Sequence, residues 1–193
     1  MEDILFEYIE KYTTLTPEEK QIIIDLAIFK DFKKGSILLK EGQFSSDTYL
    51  VITGCLRTYY IIDGEERTTA FYTESDSFTP VCTVNGTASD HYIACVEDSI
   101  VTVGNNEINK TIFEKFPRFK TLCRSVTEEL LANNQSSFDN FKITNPEQRY
   151  LDLLKNKPGL MQRVPQHQLA SYLGIKPQSL SRIRKRLLQQ ASV

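Results

Sequence analysis

One hundred and ninety-three residues make one large domain or two small ones, and 40% hydrophobic with 25% charged residues is ordinary for a globular chain. The formal net charge of −2 gives no whole-chain sign of a nucleic-acid or anionic-membrane binder. No apolar run nears the roughly 18 residues that span a bilayer, and the acidic start Met1-Glu2-Asp3-Ile4 is unlike a secretory signal.

The opening, Ile4 to Phe29, reads as helix. Thr16-Pro17-Glu18-Glu19 supplies an N-cap, a proline at the first helical position and acidic residues at the positive end of the dipole. From Phe32 to Gly104 the texture changes to short runs of β-branched and aromatic residues: Ser36–Leu39, Tyr49–Thr53, Arg57–Ile62, Thr68–Tyr72, Tyr92–Val96 and Ile100–Val103. Gly35, Gly42, Gly54, Asp63-Gly64 and Asn85-Gly86 punctuate them. Asp63-Gly64 predicts a hairpin, because a tight turn needs positive φ. Short strands at this spacing argue for an antiparallel sandwich or barrel. Helical periodicity returns at Ile108–Phe116 and again from Phe119 to about Lys142, where Leu122, Val126, Leu130, Phe138 and Phe141 form a stripe. A helix that long exceeds what one face of a small β-domain needs. Its stripe, interrupted by Asn133-Asn134-Gln135, predicts a coiled-coil-like seam, with packing against the chain's own barrel as the alternative. Asn145-Pro146 caps and starts a new helix, Glu147–Asn156, which Pro158-Gly159 stops.

Charge is not spread evenly along this order. Residues 1–145 hold 14 Lys/Arg against 23 Asp/Glu, a net −9, and residues 146–193 hold 9 against 2, a net +7. A basic segment behind an acidic body suggests two jobs on one chain. Three regions follow: residues 1–116 as a sensor-like domain, 117–145 as a long helix and hinge, and 146–193 as a basic helical domain.

The most specific stretch is Pro165–Leu188, PQHQLASYLGIKPQSLSRIRKRLL. Two short helices crossing steeply need a small residue at the contact, here Ala170, and a turn residue, here Gly174. Leu169, Leu173, Ile175, Leu180 and Ile183 fill the shared core. The second helix starts at Pro177 and directs outward Gln178, Ser179, Ser181, Arg182, Lys185 and Arg186. Such a helix suits a DNA major groove: Gln reads adenine, Arg reads guanine, and the flanking cations neutralise phosphates. His167 and Lys176 complete the candidate DNA-contacting set.

An acidic barrel, a long helix, an Asn-Pro hinge and a helix-turn-helix in this order resemble the Crp–Fnr superfamily of bacterial transcription regulators. In the barrel the resemblance rests on Lys34-Gly35-Ser36-Ile37-Leu38, Glu41-Gly42, Tyr49-Leu50-Val51-Ile52-Thr53-Gly54-Cys55-Leu56-Arg57 and Asp63-Gly64-Glu65-Glu66. In the basic domain it rests on residues 166–186, above all Ser179-Leu180-Ser181-Arg182-Ile183. It implies an α+β chain: an N-terminal antiparallel jelly roll like those that bind cyclic nucleotides, a long dimerisation helix, and an all-α helix-turn-helix domain. It further implies a cytoplasmic homodimer through the long helix, double-stranded DNA with a pseudo-palindromic operator, and RNA polymerase as partners. The wing that usually follows the recognition helix is expected to be short or absent, since Val193 lies five residues after Leu188.

Members that bind cyclic nucleotides carry Gly-Glu on a short turn and then Arg-Ser or Arg-Thr. The matching positions here are Thr79-Pro80 and Ser89-Asp90. Pro80 removes a backbone donor and Asp90 places negative charge where phosphate would sit, so no cyclic nucleotide is expected as cofactor. Residues expected to line whatever pocket remains are Phe71, Thr79, Val81, Ser89 and Asp90, with Asn134 and Gln135 on the long helix, unless these last two only relax a seam. Cysteines at 55, 82, 95 and 123 are too scattered for an iron–sulfur cluster or zinc pair and read as buried structural thiols, so no metal is expected. Two other classes compete: a cyclic-nucleotide-binding signalling module whose helix-turn-helix only packs, and a cupin-like barrel enzyme. The second would need two or three barrel histidines, and only His91 lies there, so no enzyme is expected.

Overall fold

The computed structural model describes residues 1–190. The chain opens with two helices, not one: α1 (Glu2–Glu10) and α2 (Pro17–Leu26). The capping box read at Thr16 forms as expected, with Glu19 N donating to Thr16 Oγ1 at 3.2 Å and Thr16 N to Glu19 Oε2 at 2.8 Å. A cap requires a non-helical residue, so the same signal that starts α2 also ends any continuous helix from Ile4. The expected tail of that helix is strand instead. Ala27 leaves α2 in extended backbone, and β1 (Ile28–Phe32) pairs with β8 (Ser99–Gly104).

Two antiparallel four-stranded sheets form the jelly roll. One has the order β1-β8-β3-β6, with β3 Thr48–Thr53 and β6 Ser77–Phe78. The other has the order β2-β7-β4-β5, with β2 Ile37–Leu39, β7 Tyr92–Cys95, β4 Leu56–Ile62 and β5 Glu65–Tyr72. The predicted hairpin joins β4 to β5, with Ile62 facing Glu65 and positive φ at both Asp63 (54°) and Gly64 (78°). Gly54 matters for a different reason: a Cβ there would lie 2.2 Å from Ser99 Oγ. Between the sheets, Leu39, Tyr49, Val51, Leu56, Phe78, Ile93 and Val101 make the inner core. A short helix, α3 (Val81–Asn85), follows β6.

Each sheet then buries its outer face. Leu50 and Ile52 on the first pack with Leu5, Leu15, Ile23 and Phe119, bringing in α1, α2, α4 (Asn106–Lys115) and the start of α5 (Arg118–Ile143). The second sheet is covered by the C-terminal helices α6 (Pro146–Asn156), α7 (Leu160–Arg163), α8 (Gln166–Tyr172) and α9 (Pro177–Gln190). Cys55, Phe71 and Val96 share one hydrophobic core with Leu153, Leu160, Val164, Leu169 and Leu180. Among the described residues no helix is long and apolar enough to cross a membrane. The expectation about a wing falls on the chain end after α9 and lies outside the described residues.

Candidate DNA-binding surface

The helix-turn-helix core forms from the residues whose spacing demanded it. Leu169, Ala170, Leu173, Leu180 and Ile183 are buried, and Ile175 is half-buried against them. Gly174 takes φ 71° at the turn, which favours glycine, and a Cβ there would approach Phe141 Cζ to 3.3 Å. Ile175 N donates to Ala170 O at 2.9 Å, closing the turn.

With Leu180, Ile183 and Leu187 turned inward, α9 exposes Gln178, Ser181, Arg182, Lys185 and Gln189 along its opposite face. Ser179 sits half-buried at the flank, and His167 on α8 and Lys176 in the turn are exposed beside it. Two of the predicted residues already have protein partners. Gln166 Nε2 donates to Ser181 Oγ at 2.7 Å, and Arg186 forms an ion pair with Glu147 of α6. Sequence reading missed Gln189, one further turn along the same face, and Arg184, exposed on the flank. Extending the i, i+3, i+4, i+7 spacing from Gln178 would have found Gln189.

Arg149, which no motif announced, holds the hinge. Its guanidinium lies over the Phe141 ring, 4.3 Å from the centroid. It donates to Phe141 O (3.0 Å) and Thr144 O (2.8 Å) at the end of α5, and to Leu173 O (3.1 Å) at the end of α8. A cation at two helix C-termini satisfies their orphan carbonyls and suits both dipoles. The direction of α5 is thereby tied to that of the helix-turn-helix.

The expected effector-pocket residues do not converge on one site. Phe71 packs edge-on against Tyr172 of α8, with ring centroids 5.3 Å apart. Thr79 lines a cleft against α1 and α5, whereas Val81 points outward from α3 at 60% exposure. Ser89 is buried, its hydroxyl donating to His91 O at 2.8 Å, and the Asp90 carboxylate lies 2.8 Å from His91 Nδ1. Asn134 and Gln135 are exposed on α5, with Gln135 donating to Asp139. Residues 79–91 contain neither Lys nor Arg to meet a phosphate. Of the cysteines, 55, 82 and 95 are buried as expected, but Cys123 on α5 is exposed, at the cleft that Thr79 also lines. Among the described residues no three His, Cys, Asp or Glu side chains gather as a metal site would.

Comparison with known proteins agrees with this architecture. Residues 29–116 match the cyclic nucleotide-binding domain family. Compared with the curated proteins, the chain matches none. Solved structures with the same fold include a CooA variant from Carboxydothermus hydrogenoformans, at TM-score 0.65 and 19% identity over 87% of this chain and 79% of that one. FixK2 from Bradyrhizobium japonicum gives a TM-score of 0.67 and 19% identity over 86% of each chain. CLP from Xanthomonas campestris, named a c-di-GMP-responsive global regulator, gives 0.66 and 13% over 89% of this chain and 91% of that one. Residues 29–116 thus match the cyclic nucleotide-binding domain family, and the chain as a whole shares the fold of these solved structures.

Proposed function

We propose that this chain is a sequence-specific DNA-binding transcription regulator of the Crp–Fnr type, and not an enzyme. It acts in the cytoplasm as a homodimer through α5, reads a pseudo-palindromic operator with two copies of α9, and works on RNA polymerase. The observation that carries this reading is the solvent-facing row Gln178, Ser181, Arg182 and Lys185 on a helix whose other face is locked into a helix-turn-helix core. His167, Lys176, Ser179 and Arg186 flank the row and contact the phosphate backbone, Arg186 once it exchanges Glu147 for phosphate. A cyclic nucleotide is not the effector, because Thr79-Pro80 and Ser89-Asp90 offer a phosphate no cation.

Binding of the full chain to selected operator sequences tests this directly. DNA affinity falls steeply with salt, as counterion release requires. Arg182→Ala weakens binding about 10- to 100-fold and relaxes preference at one base position in each half-site. Lys185→Ala weakens all sequences alike and flattens the salt slope by about one. If both variants lost affinity uniformly, Arg182 would not be a base reader. If no sequence were preferred at any salt, the signalling-module alternative would stand instead.

A further inference from the structure

A cleft of about 370 Å³ lies outside the jelly roll, between the outer face of β3, β6 and β8 and the helices α1, α4 and α5. Of the four residues that replace the phosphate cassette only Thr79 lines it; Pro80, Ser89 and Asp90 do not, nor does Val81. Among the described residues, none of those lining it is charged. Its walls are mainly apolar, with Leu50 on the sheet, Ile112 on α4, and Leu122 and Val126 on α5, and they also carry uncharged polar residues such as Thr102, Asn109 and Thr127. Among the polar groups that line it, two hydroxyls meet: Tyr8 Oη lies against Ser77 Oγ at 2.5 Å. A single hydrogen bond between two hydroxyls uses one proton, so the other proton and the spare lone pairs remain for a third group. Burial, and the nearby carboxylates and thiol, push Tyr8 up, keeping it a neutral donor.

We infer that this cleft binds a small, uncharged, largely apolar molecule carrying one hydrogen-bonding group, which meets the Tyr8–Ser77 hydroxyl pair. The volume is at the lower end of that of small-molecule sites, and apolar walls with one or two convergent polar groups are their usual make-up. A nucleotide or other anion is excluded by the same walls, which offer no cation to replace its lost hydration. The α5 residues on the cleft run from Phe119 to Leu130 and precede the exposed apolar residues Leu131 and Phe138, so the cleft and the seam meet only near Leu130. The site does not depend on DNA binding, and its test contains no DNA.

The neutral fluorescent probe N-phenyl-1-naphthylamine, titrated into the full chain, binds saturably with one molecule per chain. Val126→Trp fills the cleft and weakens binding at least 10-fold. Ser77→Ala removes one hydroxyl and weakens it roughly 3- to 10-fold. Val81→Ser, on the exposed side of α3, leaves it unchanged. Should Val126→Trp fail to fold, as a lost melting transition would show, Thr127→Trp fills the cleft from an exposed position on α5. Unchanged affinity in the tryptophan variants overturns the assignment. So does displacement of the probe by cyclic AMP, which would return the ligand to the barrel. Loss of probe binding in step with dimer formation would assign the cleft to a second copy of the chain and overturn it equally.

Discussion

Glu19 is only 4% exposed and remains ionised because α2 and α5 meet around it. Arg118 donates to both its oxygens, Nε to Oε1 at 2.8 Å and Nη2 to Oε2 at 2.6 Å, and also reaches Thr13 Oγ1 and Thr14 O. Those hydrogen bonds outweigh burial, and with the Thr16 amide they pull the Glu19 carboxyl down to about 2. A folded pKa below the unfolded one means the contribution is complete above roughly pH 4.5 and fades as pH falls towards 2. Arg118 is half-exposed, so water screens the pair, and the expected contribution is about 2 kcal/mol. Urea melts of the parent chain and Glu19→Gln therefore differ by about that much at pH 7, and by less than half of it at pH 3. An equal gap at both pH values would show that the carboxylate's charge is not what matters. Thr16 and Glu19 are legible in the sequence as a capping box, because that motif is local. Arg118 is not, since nothing at position 118 says which turn, 99 residues away, it will meet.

At the scale of elements, α5 poses the sharpest question. It runs for 26 residues, about 39 Å, yet buries only Phe119 within its own chain. Leu131 is 69% exposed and Phe138 55%, seven residues apart on one face, with Asn134 set between them. A face of this kind suits a parallel partner helix, and a polar residue in the seam sets register at some cost in stability. Replacing Leu131 or Phe138 by Glu is expected to weaken self-association about 100-fold, or roughly 2.7 kcal/mol, read by sedimentation equilibrium. The melting transition of the barrel stays in place. A parent chain that is monomeric at every concentration would refute the seam. This helix was readable from its interrupted stripe, but Leu122, Val126 and Leu130 of that stripe line the cleft against the barrel, as the alternative expected, while Phe138 and Phe141 stay exposed. The break between α1 and α2 was legible too, since the cap at Thr16 requires a non-helical residue and so ends any helix that comes before it. Two-residue β6, α3 and four-residue α7 are too short to show any period, and tertiary contacts alone hold them.

Over the whole molecule, the opposed charges of the two parts, −9 and +7, also describe a contact within the chain. Arg163 on α7 donates to both oxygens of Glu74 at 2.8 Å and to Glu97, while Lys157 reaches Asp76 at 2.6 Å. Burial alone would raise Glu74, but Arg163 and the Gly54 amide hold it below the usual carboxylate range. Beside these pairs, Ser171 of α8 caps the open edge of β5, accepting from Thr68 N at 2.9 Å and donating to Glu66 O at 3.2 Å. Beneath them the shared core is dry enough that burial pushes the Cys55 thiol up to about 12. Composition drew a line near residue 146, but it could not show that Cys55, Phe71 and Val96 on the barrel side complete the core of the basic side. That information lies in which strand face is left uncovered, not in any local pattern. Thr68 N turns this docking into a measurement, because an edge-strand amide held by Ser171 exchanges with solvent whenever α8 lifts away. Arg163→Ala leaves Glu74 and Glu97 close together without their shared cation. It is expected to speed exchange at the Thr68 amide about tenfold, roughly 1.4 kcal/mol, while Ile93 in the central strand β7 keeps its rate. Raising salt on the parent chain moves Thr68 the same way, by less, since the pairs are partly exposed. If Thr68 and Ile93 accelerated together, Arg163 would be stabilising the whole fold. If neither changed, the apolar core alone would hold the helix-turn-helix against the barrel.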